Sequence, residues 1–291
     1  NNIWIKALLL LLGATAVLGL YAVWVKVLER RKVSELNLRR ALPDMLTGLL
    51  IGSLFIASVV GVLALMGVYR INSVNINWIG LLLSFAAYSI VAVTEEVLFR
   101  GILFRMIDER YGALLAFIIS SLTFGVVHLM TVDFWTAIAI SAEAGFMLAA
   151  AYKFRNNLWV PIGIHWAWNF VLGPVFGVGV SGVSQDACLL IPEISGPYIL
   201  TGGNNGFEGS VVAVVIGVAV GILLYGKRKR INSNLCLTKR VVLSYVLQIE
   251  RTAYEKNRLH NYSNTVLLEY IRSKHRIYLI ENRSGSESKD Q

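Results

Sequence analysis

The chain has 291 residues, of which 56% are hydrophobic and 15% are charged, and its mean hydropathy is +0.61. A soluble domain carries about 25% charged residues, so this composition excludes an ordinary soluble enzyme and indicates a polytopic membrane protein. The formal net charge is +9, but the basic residues are spread over several turns and form no nucleic-acid-binding motif, so we expect no nucleic acid as a partner.

Seven apolar runs are long enough, or nearly long enough, to cross a bilayer as helices, since about 20 residues span its hydrocarbon core. They lie at residues 3–25, 45–68, 78–99, 113–130, 134–152, 158–180 and 211–225. The sequence therefore predicts an all-α fold, a polytopic membrane helical bundle of about seven transmembrane helices. The first run is too long for the apolar part of a cleaved signal peptide, so we expect it to remain as a span. The chain begins Asn1-Asn2 and not with Met, which leaves room for residues, and even one more span, ahead of it.

Lysine and arginine residues are concentrated in alternate turns between these runs. The basic turns follow the first, third, fifth and seventh runs and hold Lys26, Arg30, Arg31, Lys32, Arg39 and Arg40; Arg100, Arg105 and Arg110; Lys153 and Arg155; and Lys227, Arg228, Lys229 and Arg230. The other turns hold only Arg70, with Lys6 near the N-terminus. Because an excess of Lys and Arg marks the cytoplasmic side, we predict an external N-terminus and a cytoplasmic C-terminus, with membrane lipid as a partner.

Ionisable side chains inside the predicted spans are the strongest functional signal. Residues 79–104 are apolar except for Glu95, Glu96 and Arg100, and two later runs carry one histidine each, His128 and His165. A charged side chain at the centre of a membrane helix costs about 2.5–3.5 kcal/mol on insertion scales, so it is rarely kept without a partner or a function.

Helical spacing predicts that some of these residues meet. Glu95 lies about 16 residues before the turn at Gly112 and His128 about 16 after it, so each is roughly 25 Å from that turn at 1.5 Å per residue. An antiparallel helix pair would therefore hold both at one height. Glu96 and Arg100 are four residues apart, on one helix face, where they can pair. Glu95 is turned by about 100° from that face, toward the histidines.

Three motifs occur in order on separate predicted helices: TEEVLFRG at 94–101, FGVVH at 124–128 and HWAWN at 165–169. They resemble the motifs of the CAAX-protease and bacteriocin-processing family, which includes the type II CAAX prenyl endopeptidases. Those motifs are a Glu-Glu pair followed four residues later by Arg, a Phe four before a His, and a His four before an Asn. The resemblance covers residues 79–210. The segments LWVPIGIHWAWNF, GPVFG and LTGG…GFEGS resemble bacterial members, so we expect a bacterial plasma-membrane protein.

The resemblance implies an intramembrane endopeptidase, a hydrolase that cleaves membrane-associated peptide or protein substrates with a glutamate-activated water. On that resemblance Glu95 is the general base, helped by His128, while His165 and Asn169 bind the oxyanion. The chemistry is coherent, because peptide hydrolysis needs a nucleophilic water, a base beside it and donors aimed at the developing oxyanion. The resemblance leaves open whether the substrate is prenylated, as for the eukaryotic members, or a processed peptide or bacteriocin.

Three further residues are expected to support the site: Glu96 and Arg100 as an ion pair, and Phe124 by packing. Glu143 is a separate acid within an apolar run and could support the site or line its cavity. The loop acids Asp186, Glu193 and Glu208 are expected to be solvated, within a Gly/Pro/Ser-rich loop at 181–210. We divide the chain into N-terminal membrane helices with a basic cytoplasmic loop (1–76), an intramembrane protease core (77–226) and a partly disordered basic cytoplasmic tail (227–291).

Other functions use the same residues. Glu95, His128 and His165 could be zinc ligands, because two histidines and a carboxylate make a catalytic zinc set; a metal-free site is preferred, with no cofactor. The acids could instead form a proton relay in a transporter, although the chain shows no duplicated halves. A non-catalytic scaffold or immunity role is the remaining alternative.

Overall fold

The computed structural model of the chain describes residues 2–185, 187–228, 244 and 247–250. The chain divides into two compact units, Asn1–Arg228 and Lys229–Gln291, and the first is described below. Most of the predicted tail, Lys229 and Arg230 of the basic pattern, and Asp186 lie outside the described residues. The proposed division at residues 76 and 226 therefore stays a prediction.

Helices occupy all seven predicted positions in the first unit. They are α1 (Ile3–Val27), α2 (Ala41–Leu65), α3 (Trp78–Tyr111), α4 (Ala113–His128), α5 (Phe134–Arg155), α6 (Trp159–Phe170) and α8 (Val211–Arg228), with a short α7 (Tyr198–Thr201) in the loop before α8. Among the described residues, five of these helices, α1, α2, α3, α5 and α8, are long and apolar enough to cross a membrane. The predicted all-α membrane bundle is confirmed, whereas the number of seven spans stays a prediction because α4 and α6 are shorter, with 16 and 12 residues.

Helices α2 and α6 approach each other closely because glycines line their contact. A Cβ atom added at Gly48 would lie 2.2 Å from the carbonyl oxygen of Val160, and one at Gly52 would lie 2.6 Å from that of Ile164. Gly163 of α6 faces α2 in the same way, with backbone within 2.6 Å of its missing Cβ. Small residues four apart let membrane helices pack backbone to backbone. This contact fixes the position of α6, the helix that carries the third motif.

Three π-helical segments interrupt or extend these helices. They are Val97–Phe104 within α3, Ser141–Gly145 within α5, and Val171–Val175, which continues α6. The first begins directly after the glutamate pair, and the third begins two residues after the last residue of the third motif and contains Pro174. Such turns are rare in helices and are frequent at functional sites, where they redirect side chains.

Ion pairs join the basic turns at one end of the bundle. Arg105 of α3 pairs with Glu29, which follows α1, at 2.5 Å, and Lys153 of α5 pairs with Asp108 of α3 at 2.5 Å. At the end of α8, Arg228 donates a hydrogen bond to the backbone carbonyl of Lys153 at 2.6 Å. The turns after the first, third, fifth and last helices therefore share one end, as the alternation of basic residues predicts. The side of the membrane that this end faces stays a prediction.

The opposite end is covered by the loop between α6 and α8. Its strand β2 (Leu190–Ile194) pairs antiparallel with β1 (Tyr69–Val74), which follows α2. Further along the loop, the hydroxyl of Tyr198 and the amide of Asn205 both donate to Asp133 at the start of α5. This loop is therefore folded back onto the bundle, over the end at which the second motif finishes.

Candidate active site

The centre of the candidate site is a buried cluster of Glu96, Arg100 and His165. Arg100 Nη1 donates to Glu96 Oε1 at 2.9 Å, and the same oxygen lies 2.8 Å from Nδ1 of His165. The side chains of Glu96 and Arg100 are 0% exposed. The pair between Glu96 and Arg100 forms as their spacing predicts. The contact with His165, 69 residues away along the chain, comes from the packing of α6 against α3 and was not predicted.

Arg100 lies inside the bundle and not in a cytoplasmic turn, so counting it among the topology-setting cations was wrong. Helix α3 continues beyond Arg100 to Tyr111, which keeps the guanidinium within the packed helices. There it donates to the carbonyl oxygen of Gly145 at 3.2 Å and lies 4.5 Å from the ring centroid of Phe124. Phe124 is thus the aromatic face that covers the buried cation, a supporting contact of the cation–π type.

Glu95 has surroundings different from those of its neighbour Glu96. Its side chain is 27% exposed, and its Oε2 lies 3.8 Å from Nε2 of His165. That oxygen has no hydrogen-bond partner among the described residues. The expectation that Glu95 faces both histidines is met for His165 alone, since no ion pair or hydrogen bond joins Glu95 to His128 in the described part of the chain. The two carboxylates therefore approach opposite nitrogens of one imidazole ring.

His128, His165 and Asn169 line one small cavity, with a volume of about 10 Å³. A single water molecule needs a space of about this size. Nδ1 of His128 lies 2.7 Å from the carbonyl oxygen of Phe124, and since a carbonyl can only accept, this nitrogen is the donor. In the neutral ring, Nε2 of His128 is then left without a proton. Asn169 is buried one turn beyond His165 on α6.

Glu208 lines the same cavity, although its loop position led us to expect a solvated side chain. That expectation was wrong, because Glu208 is 4% exposed and both of its oxygens accept hydrogen bonds. Nε1 of Trp168 donates to Oε1 at 2.9 Å, and the backbone N–H of Ser181 donates to Oε2 at 2.5 Å. The loop can pack this closely because a Cβ at Gly206 would lie 2.1 Å from the carbonyl oxygen of Gly179. An acid between glycines directly before the last helix, GFEGS, is the signal that could have identified it.

Glu143 is buried elsewhere in the bundle. It is 0% exposed, and neither carboxyl oxygen has a hydrogen-bond partner among the described residues. Its Cβ lies 2.9 Å from the position that a Cβ of Gly217 would occupy, so it packs against α8. It is not part of the cavity lining, and the interpretation of Glu143 as a cavity residue finds no support in this geometry.

An apolar groove of about 230 Å³ lies next to the site between α2, α3 and α6. Its lining includes Leu49 of α2, Phe85 and Val93 of α3, and Trp166 of α6. Val93 precedes Glu95 by two residues, and Trp166 directly follows His165. The groove therefore lies along the two helices that carry the acidic pair and the second histidine, although none of these three residues lines it, and its surface suits an apolar chain.

The nitrogen atoms of the two histidines are largely engaged by protein groups. In His165, Nδ1 contacts Glu96 and Nε2 faces Glu95. In His128, Nδ1 is held by the backbone carbonyl of Phe124. Within the described ranges, no group of three or more His, Cys, Asp or Glu residues is arranged to share one metal ion. Glu95, His128 and His165, the zinc set considered above, do not form such a group among the described residues, and the metal-free site stays a prediction.

A comparison with family models matches residues 76–171 to the family described as type II CAAX prenyl endopeptidase Rce1-like. The matched segment contains all three motifs. Comparisons with curated proteins and with solved structures give no significant match. The family match confirms the resemblance on which the site was chosen: residues 76–171 are similar to the Rce1-like type II CAAX prenyl endopeptidases, which is consistent with the CAAX-protease and bacteriocin-processing family.

Proposed function

We propose that this protein is an intramembrane endopeptidase that hydrolyses peptide bonds of membrane-associated peptides or proteins with a water activated by Glu95. The family match supports protease chemistry in general. The observation that carries the finer proposal is the contrast between adjacent acids. Oε2 of each acid lacks a hydrogen-bond partner among the described residues, but Glu96 is fully buried and its Oε1 is held by Arg100 and His165. Glu95 is partly exposed, and its Oε2 lies 3.8 Å from Nε2 of His165.

Charge balance gives His165 a defined role. Two carboxylates and the guanidinium of Arg100 leave the buried cluster one negative charge in excess. An imidazolium at His165, between Glu96 and Glu95, neutralises that excess and avoids an unpaired buried charge. Its Nε2–H then points toward the Glu95 side of the ring. As Glu95 takes a proton from water and loses its charge, this N–H is freed to donate to the oxyanion.

His128 and Asn169 complete the proposed chemistry from the cavity that they line with His165. The unprotonated Nε2 of His128 can accept a hydrogen bond from the attacking water, take the second water proton from the hydroxyl of the tetrahedral intermediate and pass it to the leaving amine. The side-chain amide of Asn169 supplies a second oxyanion donor. These proposed roles use no metal ion: Glu95 faces Nε2 of His165, and His128 and Asn169 line the cavity together with that ring, although Glu95 is not itself part of the lining.

The apolar groove beside the site supports a substrate with a membrane-embedded or lipid-like segment. Such a segment could lie along Phe85 and Trp166 and bring the scissile bond to Glu95 from the side of the bundle. The proposal covers prenylated proteins and unmodified peptides alike. Within the described residues, no feature favours the transport or scaffold alternatives over hydrolysis.

The proposal is tested by replacing Glu95 with glutamine, which keeps the shape of the side chain and removes the base. Membranes of cells that produce wild-type protein or Glu95→Gln are compared by proteomics, and the substrates found are then cleaved with purified protein. We expect uncut substrates to accumulate with Glu95→Gln, while the purified variant elutes and melts as wild type does. Glu109→Gln changes an exposed acid on the same helix and is the control, expected to retain activity. Full cleavage by Glu95→Gln would contradict the assignment of Glu95 as the base.

A further inference from the structure

Glu208 is a buried carboxylate that the three motifs leave without a role. Its side chain is held on both oxygens, by Nε1–H of Trp168 and by the backbone N–H of Ser181. Hydrogen bonds of this kind favour the charged form of a carboxyl group. The loop buries this acid against the cavity, where its exposure is only 4%. Burying a carboxylate costs free energy unless the charge is paired, so its burial calls for a partner.

Two histidines, His128 and His165, line the same cavity as Glu208, and the ring of His165 already faces Glu96 and Glu95. No Lys or Arg among the described residues forms an ion pair with Glu208, in contrast to Glu96, which has Arg100. Burial raises the pKa of Glu208, while a positive charge on His128 lowers it. Both residues line the same cavity, whose volume of about 10 Å³ is close to what one water molecule needs. A water bridge can therefore join a carboxylate and an imidazole that make no direct contact.

We propose that Glu208 is a positioning residue of this site, whose buried carboxylate is the counter-ion of His128 and stabilises the positive charge that the imidazole acquires with a proton. The pairing of Glu208 with His128 is a property of the folded protein. Only its effect on catalysis rests on the proposed function. The backbone carbonyl of Phe124 fixes the Nδ1 side of the ring. Glu208 would then act through His128, much as a buried aspartate stabilises the imidazolium of a serine protease.

The loop geometry explains how an acid outside the motif helices reaches the site. Glu208 lies in the turn Phe207–Gly209, directly before α8. Phe207 is 0% exposed, and Gly206, with φ of 87°, packs against Gly179. A larger residue at Gly206 would be strained as well as obstructed, so the position of the turn is fixed. The carboxylate is therefore held by a rigid, packed turn.

The test combines two single variants, Glu208→Gln and His128→Gln, with the double variant. Glu193→Gln is the matched control, because Glu193 is an exposed acid in the same loop. Each purified protein is assayed for peptide cleavage at about pH 7.5, where the mechanism uses an unprotonated Nε2 of His128. Thermal unfolding is measured at pH 5.5, below the ordinary histidine pKa of about 6.5. We expect Glu208→Gln to lower kcat by roughly 10- to 100-fold and to leave KM within about twofold. In the His128→Gln background, Glu208→Gln should cause almost no further loss, since residues that act as a unit are non-additive.

Unfolding provides a readout that does not require activity. The drop in melting temperature caused by Glu208→Gln should be smaller in the His128→Gln background, because the double variant strands no imidazolium. If wild type cleaves nothing, the proposed function fails, and this unfolding cycle alone decides whether Glu208 and His128 are paired. If Glu208→Gln does not fold, recovery of folded protein in the double variant supports the pairing, and failure of both contradicts it. Independent effects of the two variants on kcat and on melting would overturn the proposal.

Discussion

Replacing Arg100 with methionine should destabilise the protein strongly, because it leaves Glu96 charged and buried without its guanidinium. Methionine fills similar space and suits an apolar bundle, so the change mainly removes the charge and its hydrogen bonds. Both members of the pair are 0% exposed, at 2.9 Å from each other. Water therefore cannot take the place of the missing cation.

The magnitude follows from three contacts of Arg100. Breaking a buried ion pair by removing one partner costs about 3–5 kcal/mol. The hydrogen bond to the carbonyl of Gly145 and the stacking on Phe124 are lost as well. Against this, His165 still contacts Glu96 at 2.8 Å and retains part of the compensation. We therefore expect about 3–5 kcal/mol in total, which corresponds to a fall of roughly 10 °C in melting temperature for a chain of this size.

The measurement is thermal unfolding of detergent-purified variants, with folded yield as a second readout. Arg110→Met is the matched control, because Arg110 is an exposed cation on the same helix, and it should change the melting temperature by less than about 2 °C. The double variant Glu96→Gln/Arg100→Met should recover part of the loss, because no charge is then stranded. Equal melting of Arg100→Met and Arg110→Met would refute the reasoning.

Four further predictions concern topology, metal, catalysis and packing. A reporter fused after Arg228 should be cytoplasmic and one inserted at Gly202 external; both on the same side would contradict the alternating topology. Purified protein should keep its peptidase activity after prolonged chelation, whereas loss on chelation with recovery on adding zinc would establish a metalloprotease. Asn169→Ala should lower kcat by roughly 10²–10³ and change KM little, because it removes one oxyanion donor; an unchanged kcat would exclude that role. Gly48→Val should reduce folded yield by obstructing the contact between α2 and α6, while Gly61→Val, on the same helix with no atom within 4 Å of its missing Cβ, should not; equal yields would contradict the packing argument.

The helices were predictable from the sequence because the apolar runs have, or nearly have, the length and hydropathy of bilayer-crossing segments. The π-helical turns were not predictable, because a helix with one wider turn has almost the same pattern of apolar residues as a regular α-helix. The pairing of β1 with β2 was missed for a different reason. Residues 69–74 and 190–194 lie far apart along the chain, and neither stretch shows a strong alternation of polar and apolar side chains.

Contacts within one helix of the site were also predictable, because i,i+4 geometry depends on the helix alone. The pairing of Glu96 with Arg100 is the clear case. Contacts between helices depend on rotation and crossing, which single-sequence spacing does not give. The bond from His165 to Glu96, the distance from His128 to Glu95, and the burial of Glu208 all belong to this second kind. The motif GFEGS was visible, but its loop position suggested solvent rather than the cavity.

The two adjacent glutamates show how a helix can give one residue type two roles. A step of one residue rotates the side chain by about 100°, so Glu96 points into the bundle while Glu95 points along its edge. Glu96 has two partners on its Oε1, Arg100 and His165, and its side chain is fully buried. Glu95 retains 27% exposure and makes no hydrogen bond among the described residues, which leaves its side chain free to meet a water molecule in the proposed mechanism. His165 contacts both glutamates, so a proton gained by Glu95 directly changes the charge that faces the imidazole ring. One imidazole thereby couples water activation to oxyanion binding in the proposed mechanism.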